Sequence, residues 1–319
     1  MTQNAPRLIA DIGGTNARFS LILPGTSEPQ NTLVLSCDDF PGLAETTLAY
    51  LERKPPPAPP VAAAFAIASP VLGDRVELTN RDWSFSIAEL KNRLNLERLD
   101  VVNDFIAVAL SVPRLGANDK VVVGGGVPAF NAPIGVIGPG TGLGVAALVP
   151  TDNGWHPIST EGGHVTMPAT NDKEAQVIDW LHARHGHVSA ERILSGPGLV
   201  NLFAALSELS GKPTANLSPH ELTSQALAGD PLASEALAMF FAMLGTVAGN
   251  LALTLGARGG VQIAGGIIPR LLDLFLASDF RRRFEDKGRF SAYLRAIPVH
   301  VITHPYPAFV GLAGLVGSG

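Results

Sequence analysis

Residues 8–23 read Leu-Ile-Ala-Asp-Ile-Gly-Gly-Thr-Asn-Ala-Arg-Phe-Ser-Leu-Ile-Leu. An apolar run at 8–12 carries one carboxylate, Asp11, and meets a turn at Gly13, Gly14 and Thr15. Ala17, Phe19, Leu21 and Leu23 then alternate on one side, so the spacing predicts a β-hairpin. Two glycines let a backbone come close to a ligand and present bare N–H groups, which suits a phosphate. Thr15 adds a hydroxyl, and Asp11 stands where it could hold a magnesium ion, directly or through water. An ordinary hairpin turning on Gly-Gly would read the same way.

A second stretch shifts the balance. Residues 134–149 read Ile-Gly-Val-Ile-Gly-Pro-Gly-Thr-Gly-Leu-Gly-Val-Ala-Ala-Leu-Val, again strand, Gly-Thr turn, strand. Gly140-Thr141 aligns with Gly14-Thr15 about 125 residues earlier, an internal repeat of a phosphate cradle. The copies differ, because Ile137 stands where Asp11 would be. Two cradles with one acid suggest two lobes gripping one polyphosphate, the metal held from the first.

The surrounding pattern repeats too. The first 112 residues read β-β-β-α-β-α-β-α, with a stiff proline connector at 55–60, a small hairpin at 71–80 turning on Gly73-Asp74, and a helix from Ser86 capped by Ser86 and Glu89. From Ile134 the order returns, enlarged by extra helices between its third and fourth strands. Strands alternating with helices predict α/β sheets covered on both faces. The expected division is a small lobe at 1–112, joined by a C-terminal helix at about 305–319, and a large lobe at 113–304.

Composition narrows the possibilities. The 319 residues are 46% hydrophobic, enough for two sizeable cores. A net charge of −5 disfavours a nucleic-acid partner, which needs a basic face. One cysteine, Cys37, excludes a disulfide framework and a cysteine zinc site and fits a reducing, cytoplasmic setting. Residues 236–257 carry no charge and are long enough to span a bilayer, but they include Gly245, Gly249, Asn250 and two threonines. They read instead as a buried core helix whose small residues admit a close neighbour, so no membrane association is expected. Competing nucleotide motifs fail: Gly211-Lys212 lacks the upstream Walker glycine, and Leu143 occupies the third Rossmann position after Gly138 and Gly140.

Several polar residues are candidates for chemistry. Asp104 closes a short strand and precedes a helix, a place where α/β folds bind ligands and also where Asp serves as a helix N-cap. Glu161-Gly-Gly-His164 sets an acceptor and an imidazole around a glycine bend, or is a surface turn. Glu191 alone would be an exposed helical residue. Together with Asn103 and Asp104 these groups could bracket a polyhydroxylated substrate, because adjacent hydroxyls need short polar acceptors. Gly265-Gly266 is another glycine turn leading into a helix, where donors can approach a nucleotide. His182, His185 and His187 read as solvated, and the run Arg281, Arg282, Arg283, countered by Glu285 and Asp286, as a surface face.

At this point the residues resemble a family. The duplicated order with its two Gly-Thr hairpins resembles the actin–hexokinase–sugar kinase superfamily, and within it the bacterial glucokinases of the enterobacterial type. The resemblance runs through nearly the whole chain, on Asp11-Ile-Gly-Gly-Thr-Asn-Ala-Arg18, Leu78-Thr-Asn80 with Trp83, Asn103-Asp104-Phe105, Gly140-Thr-Gly-Leu-Gly144, Glu161-Gly-Gly-His164, the segment 189–201, Ile263-Ala-Gly-Gly266 and the segment 284–290. It implies two actin-like, ribonuclease H-like lobes and ATP-dependent phosphorylation of the glucose 6-hydroxyl, the first step of glycolysis, with magnesium. By the same resemblance Asp104 is the catalytic base, and Asn103, Glu161, His164 and Glu191 hold sugar hydroxyls. Ala10, Asp11, Ile12, Gly13, Gly14 and Thr15, with Gly140, Thr141 and Gly142, match the phosphate turns, and Gly265 and Gly266 the adenosine side. A cytoplasmic homodimer is implied as well. Ala10, where glycine is expected, and Pro139 inside the second cradle depart from the pattern. The other glucokinase lineage carries a cysteine-rich zinc motif that one cysteine cannot supply. Alternatives are a kinase for another hexose, a non-catalytic sugar sensor and an actin-like filament protein.

Overall fold

A computed structural model describes residues 5–79, 81–213 and 216–317; Asn80, part of the expected Leu-Thr-Asn motif, lies outside them. The chain divides into two compact units, Met1–Asn118 with His304–Gly319, and Asp119–Thr303.

The first unit runs β1 (Arg7–Ile12), β2 (Asn16–Ile22), β3 (Pro29–Ser36), α1 (Leu43–Arg53), β4 (Ala62–Ile67), β5 (Arg75–Glu77), β6 (Ser84–Ser86), α2 (Ile87–Arg93), β7 (Arg98–Asn103) and α3 (Asp104–Ser111). Its sheet has the order β3-β2-β1-β4-β7; β1 pairs antiparallel with β2 and parallel with β4, and β4 parallel with β7. Alternation along β1 divides the core. Leu8, Ala10 and Ile12 join Phe19, Tyr50 and Phe65 on one face. Ile9 joins Ala64, Ala66 and Ala107 on the other, beneath Phe309 and Leu312 of the C-terminal helix, Pro307–Gly317. The unbroken apolar run of β4 follows from this cover on both faces.

The expected hairpin at 71–80 is corrected. β5 pairs with β6, so the connection falls at 78–83 rather than at Gly73-Asp74. Asp74 serves α2 instead: its carboxylate accepts the Ala88 N–H at 2.9 Å and the Ser86 hydroxyl at 2.5 Å. A helix start leaves N–H groups without partners, and an anion there is favourable.

The second unit runs β8 (Lys120–Val122), β9 (Ile134–Pro139), β10 (Leu143–Thr151), β11 (Gly154–Ser159), α4 (Asp172–His185), α5 (Gly196–Leu209), α6 (Pro219–Leu227), α7 (Pro231–Leu255), β12 (Gly260–Ile263), α8 (Leu272–Leu276), α9 (Phe280–Glu285), α10 (Ser291–Arg295) and β13 (Val299–Ile302). Its sheet order, β11-β10-β9-β12-β13, repeats the first unit's, with β8 added antiparallel at the edge. The inserted helices α4 to α7 lie between the third and fourth strands of this copy, as the sequence predicts.

Helix α7 takes in 236–255 of the uncharged stretch, and 72% of its most apolar window is buried inside the protein. Gly245 and Gly249 let the backbone of α9 lie against it, since a Cβ on either would strike the carbonyl of Phe280 or Phe284. That packing corrects the reading of the arginine run as a surface face. Arg283 is buried and pairs with buried Glu174 at 2.7 Å and with the Thr246 hydroxyl at 2.7 Å. Burial pushes the Glu174 carboxyl up, but Arg283 and two donors from Thr170 hold it below the usual carboxylate range. Arg281 donates to the carbonyls of Ile297 and Arg295, and only Arg282 stays in solvent, on Asp279.

Candidate active site

In the first unit Gly13, Gly14, Thr15 and Asn16 lie between the last pair of the hairpin register, Ile12 and Ala17, closed by a Gly13 N–H to Asn16 carbonyl bond of 3.0 Å. Its next carbonyls are held from the protein side. Arg81 Nη1 donates to Gly14 O at 3.0 Å, and the Cys37 N–H donates to Thr15 O at 2.8 Å. The Cys37 thiol lies 3.7 Å from Gly13 O. Arg81 Nη2 also donates to Cys37 O at 2.8 Å, and its guanidinium stacks 4.8 Å from the Trp83 ring centroid. With the carbonyls fixed inward, the N–H groups of Gly14 and Thr15 have no acceptor among the described residues. That arrangement suits an anion. Arg81 is an anchor of this turn that the sequence reading missed; nothing in its spacing ties it to a turn 67 positions earlier.

Asp11 faces Arg18 across the hairpin register, with a long ion pair of 3.7 Å. Burial raises its carboxyl above the usual range, and Arg18 opposes this. Ala10 and Ile12 bury their side chains in the core, so they frame the turn and offer no side-chain group to a ligand. Asn103 and Asp104 stand where β7 passes into α3. The cap is Asn103: its Oδ1 accepts the Phe105 N–H at 2.9 Å. Asp104 Oδ1 shares that donor at 2.8 Å, and the Asn103 side chain also hydrogen-bonds to the carboxylate. Burial, reinforced by the negative charge of Asp11, pushes Asp104 up to about 6. The sequence gives no reason to expect more than an ordinary carboxylate near ~4.

In the second unit the turn between β9 and β10 is one residue shorter, Gly140, Thr141 and Gly142, closed by a Gly140 N–H to Gly142 O bond of 2.8 Å. Ile137, at the position of Asp11, is fully buried. Glu191 does not lie on a helix. It sits in the turn before α5, where its Oε2 accepts the Leu143 N–H at 2.9 Å and its own N–H donates to Gly163 O at 2.8 Å. Glu161 and His164 project from a short 3-10 turn, more than half exposed, with Nε2 and Oε2 4.0 Å apart. His187, exposed like His182 and His185, donates to the His164 carbonyl at 3.1 Å. Gly265 holds a left-handed φ of +82° against the backbone of Pro139, beside the end of β9. Gly266 follows it, and the helix beyond opens as a 3-10 segment, Ile268–Leu271, before α8. The second unit thus gathers residues 140–142, 161–164, 191 and 265, and the first gathers 11, 13–15, 103 and 104.

Two sheets of one topology, each turning its first hairpin on a Gly-Thr cradle, with partly buried carboxylates beside the first cradle, define a phosphotransferase of the actin-like sugar kinase class. Comparison with known proteins narrows the class. The chain matches the Glucokinase family over residues 8–317. It is 55% identical to a glucokinase of Paramagnetospirillum magneticum, over 97% of each chain. It is similar to the crystal structure of a glucokinase from an Antarctic psychrotroph, with a TM-score of 0.90 and 37% identity over 98% of this chain and 99% of that one. It shares the fold of a Balamuthia mandrillaris glucokinase crystallised with glucose, at a TM-score of 0.80 and 22% identity over 99% and 94% of the two chains. The chain belongs to the glucokinase family.

Proposed function

We propose that this chain transfers the γ-phosphoryl group of ATP to the 6-hydroxyl of D-glucose, giving glucose 6-phosphate and ADP, with Asp104 as the base. The observation that carries the assignment of the base is a partly buried carboxylate at the start of α3, beside Asp11, raised to about 6 and therefore ionised at neutral pH. In the step, Asp104 orients O6–H and takes its proton as the O6–Pγ bond forms and the bond from Pγ to the β,γ-bridging oxygen breaks. The base accepts the proton late, so a moderately basic carboxylate suffices.

The remaining residues position the reactants. The free N–H groups of Gly14, Thr15, Thr141 and Gly142 are donors for nucleotide phosphates, and the backbone near Gly265 and Gly266 is the adenosine side. Asn103, Glu161, His164 and Glu191 take sugar hydroxyls. An oxygen donor held only by a 3.7 Å ion pair suits a hard cation, so Asp11 would hold magnesium, directly or through water. Bound there, magnesium supplies neutralising charge for the phosphates. In this reading the first unit is the small lobe, with metal ligand and base, and the second is the large lobe. A cytoplasmic homodimer belongs to the same reading through family resemblance.

The test is ADP release by purified protein with magnesium-ATP, alone and with glucose, mannose, fructose or glucosamine. Strong release with glucose and weak release with the others is expected. A preference for another sugar would overturn the glucose assignment. Silence with all of them would overturn the kinase reading with ATP as donor.

A further inference from the structure

In the second unit the groups assigned to sugar and to phosphate share one side chain. Glu191 Oε2 accepts the N–H of Leu143, the residue that follows the phosphate turn. The same oxygen occupies the space a Cβ on Gly142 would need, so a side chain there would displace it. Around it the segments interlock: Gly196 N–H donates to Gly140 O at 2.8 Å, the Ser195 hydroxyl to Glu191 O at 2.8 Å, and Glu191 N–H to Gly163 O, in the bend that carries Glu161 and His164. Glu191 Oε1 has no hydrogen-bond partner among the described residues.

We propose that Glu191 couples the two sites within this unit: Oε2 fixes the phosphate turn and Oε1 takes a sugar hydroxyl. The proposal rests on the glucose kinase reading above. A hydroxyl on Oε1 restrains the carboxylate, and the restrained carboxylate holds the Leu143 N–H and the turn in place. Whichever ligand binds first bears the ordering cost, and the second meets a turn already formed. Linkage makes the effect reciprocal: sugar tightens nucleotide binding by the factor that nucleotide tightens sugar binding. Substitutions should therefore act across the sites. Gly142→Ala alters only the phosphate turn but displaces the sugar carboxylate. Glu191→Asp, one methylene shorter, cannot span both partners.

The test is calorimetric, with each ligand alone and then with both. Gly142→Ala is expected to weaken glucose binding, measured without nucleotide, by about 5-fold or more. Glu191→Asp is expected to weaken magnesium-ADP binding, measured without sugar, by a similar factor. In the wild type, glucose should tighten magnesium-ADP binding, and in Glu191→Asp saturating glucose should leave it unchanged. A wild type that binds glucose while both variants keep their cross-site affinities overturns the coupling and leaves the kinase reading standing. A wild type that binds no glucose overturns the kinase reading and the coupling with it. If Gly142→Ala does not fold, the magnesium-ADP measurement on Glu191→Asp decides alone.

Discussion

The two hairpin turns are copies on one scaffold, yet they are held by opposite charges. The first is four residues long and anchored through its carbonyls by a cation, Arg81. The second is three residues long and anchored through an N–H by an anion, Glu191. The strand before the first carries Asp11, with Asp104 near enough for its carboxyl to feel that charge; the matching position before the second is Ile137, closed into the core. Duplication thus gave two backbones that can face phosphate, and the side chains beneath them divide the work. In the proposed reading the first copy supplies the metal ligand, the base and one sugar ligand, Asn103, and the second the other three, Glu161, His164 and Glu191.

Exchanging the two strand positions should break this comparison most sharply. Ile137→Asp puts an unpaired carboxylate at a fully buried position and is expected to cost several kcal/mol, on the order of 3–5, read as a collapse of the thermal melt. Asp11→Asn, at a partly exposed position, should keep the melt within a few degrees while lowering turnover about 100-fold or more with magnesium-ATP. Equal effects of the two changes would deny the division.

The two anchors give a smaller test. Arg81→Ala leaves the Gly14 carbonyl without its donor and the Cys37 carbonyl with only the Phe40 N–H at 3.4 Å, so the KM for ATP should rise about 10-fold while glucose affinity changes little. Arg81→Lys, which can satisfy one carbonyl, should fall between. An unchanged KM for ATP in Arg81→Ala would remove the anchor from catalysis. Asp38 contributes little here, because its carboxylate is largely exposed to solvent.

The smallest effect is on stability. Asp104 has a higher proton affinity folded, at about 6, than unfolded, near 3.8. Below both values it is neutral in both states and neutral to stability. As pH rises from about 4 through 6 the folded state holds the extra proton, and stability falls to a constant penalty above. Asp104→Asn should therefore be more stable than wild type by about 1–3 kcal/mol at pH 8, with the gap closing below pH 4, in urea melts without nucleotide or magnesium. A gap independent of pH would contradict the assigned shift.

Much of this was legible in the chain. The Gly-Thr repeat gave both hairpins, and the apolar alternation after the first gave the buried face of β2, because a period of two cannot be satisfied with the core on the wrong face. Features set by distant partners were not legible. β8 is three residues long and exists through its pairing with β13, far along the chain. Arg283 looks solvated until Glu174 and the glycines of α7 are brought to it. Within the site, residue types pointed to the acids and glycines, but the raised proton affinity of Asp104 depends on burial and on Asp11 in space. The roles of Arg81 and Glu191 as anchors rest on bonds spanning 67 and 48 positions, which no local pattern encodes.

The most direct measurement is glucose 6-phosphate formation by wild type and Asp104→Asn across pH 4.5 to 9, with saturating magnesium-ATP and melts recorded on the same samples. The wild-type rate should fall below pH about 6, and Asp104→Asn should lose about 100- to 10,000-fold in turnover while staying folded. A folded Asp104→Asn that turns over glucose at near the wild-type rate would contradict the role of Asp104 as the base.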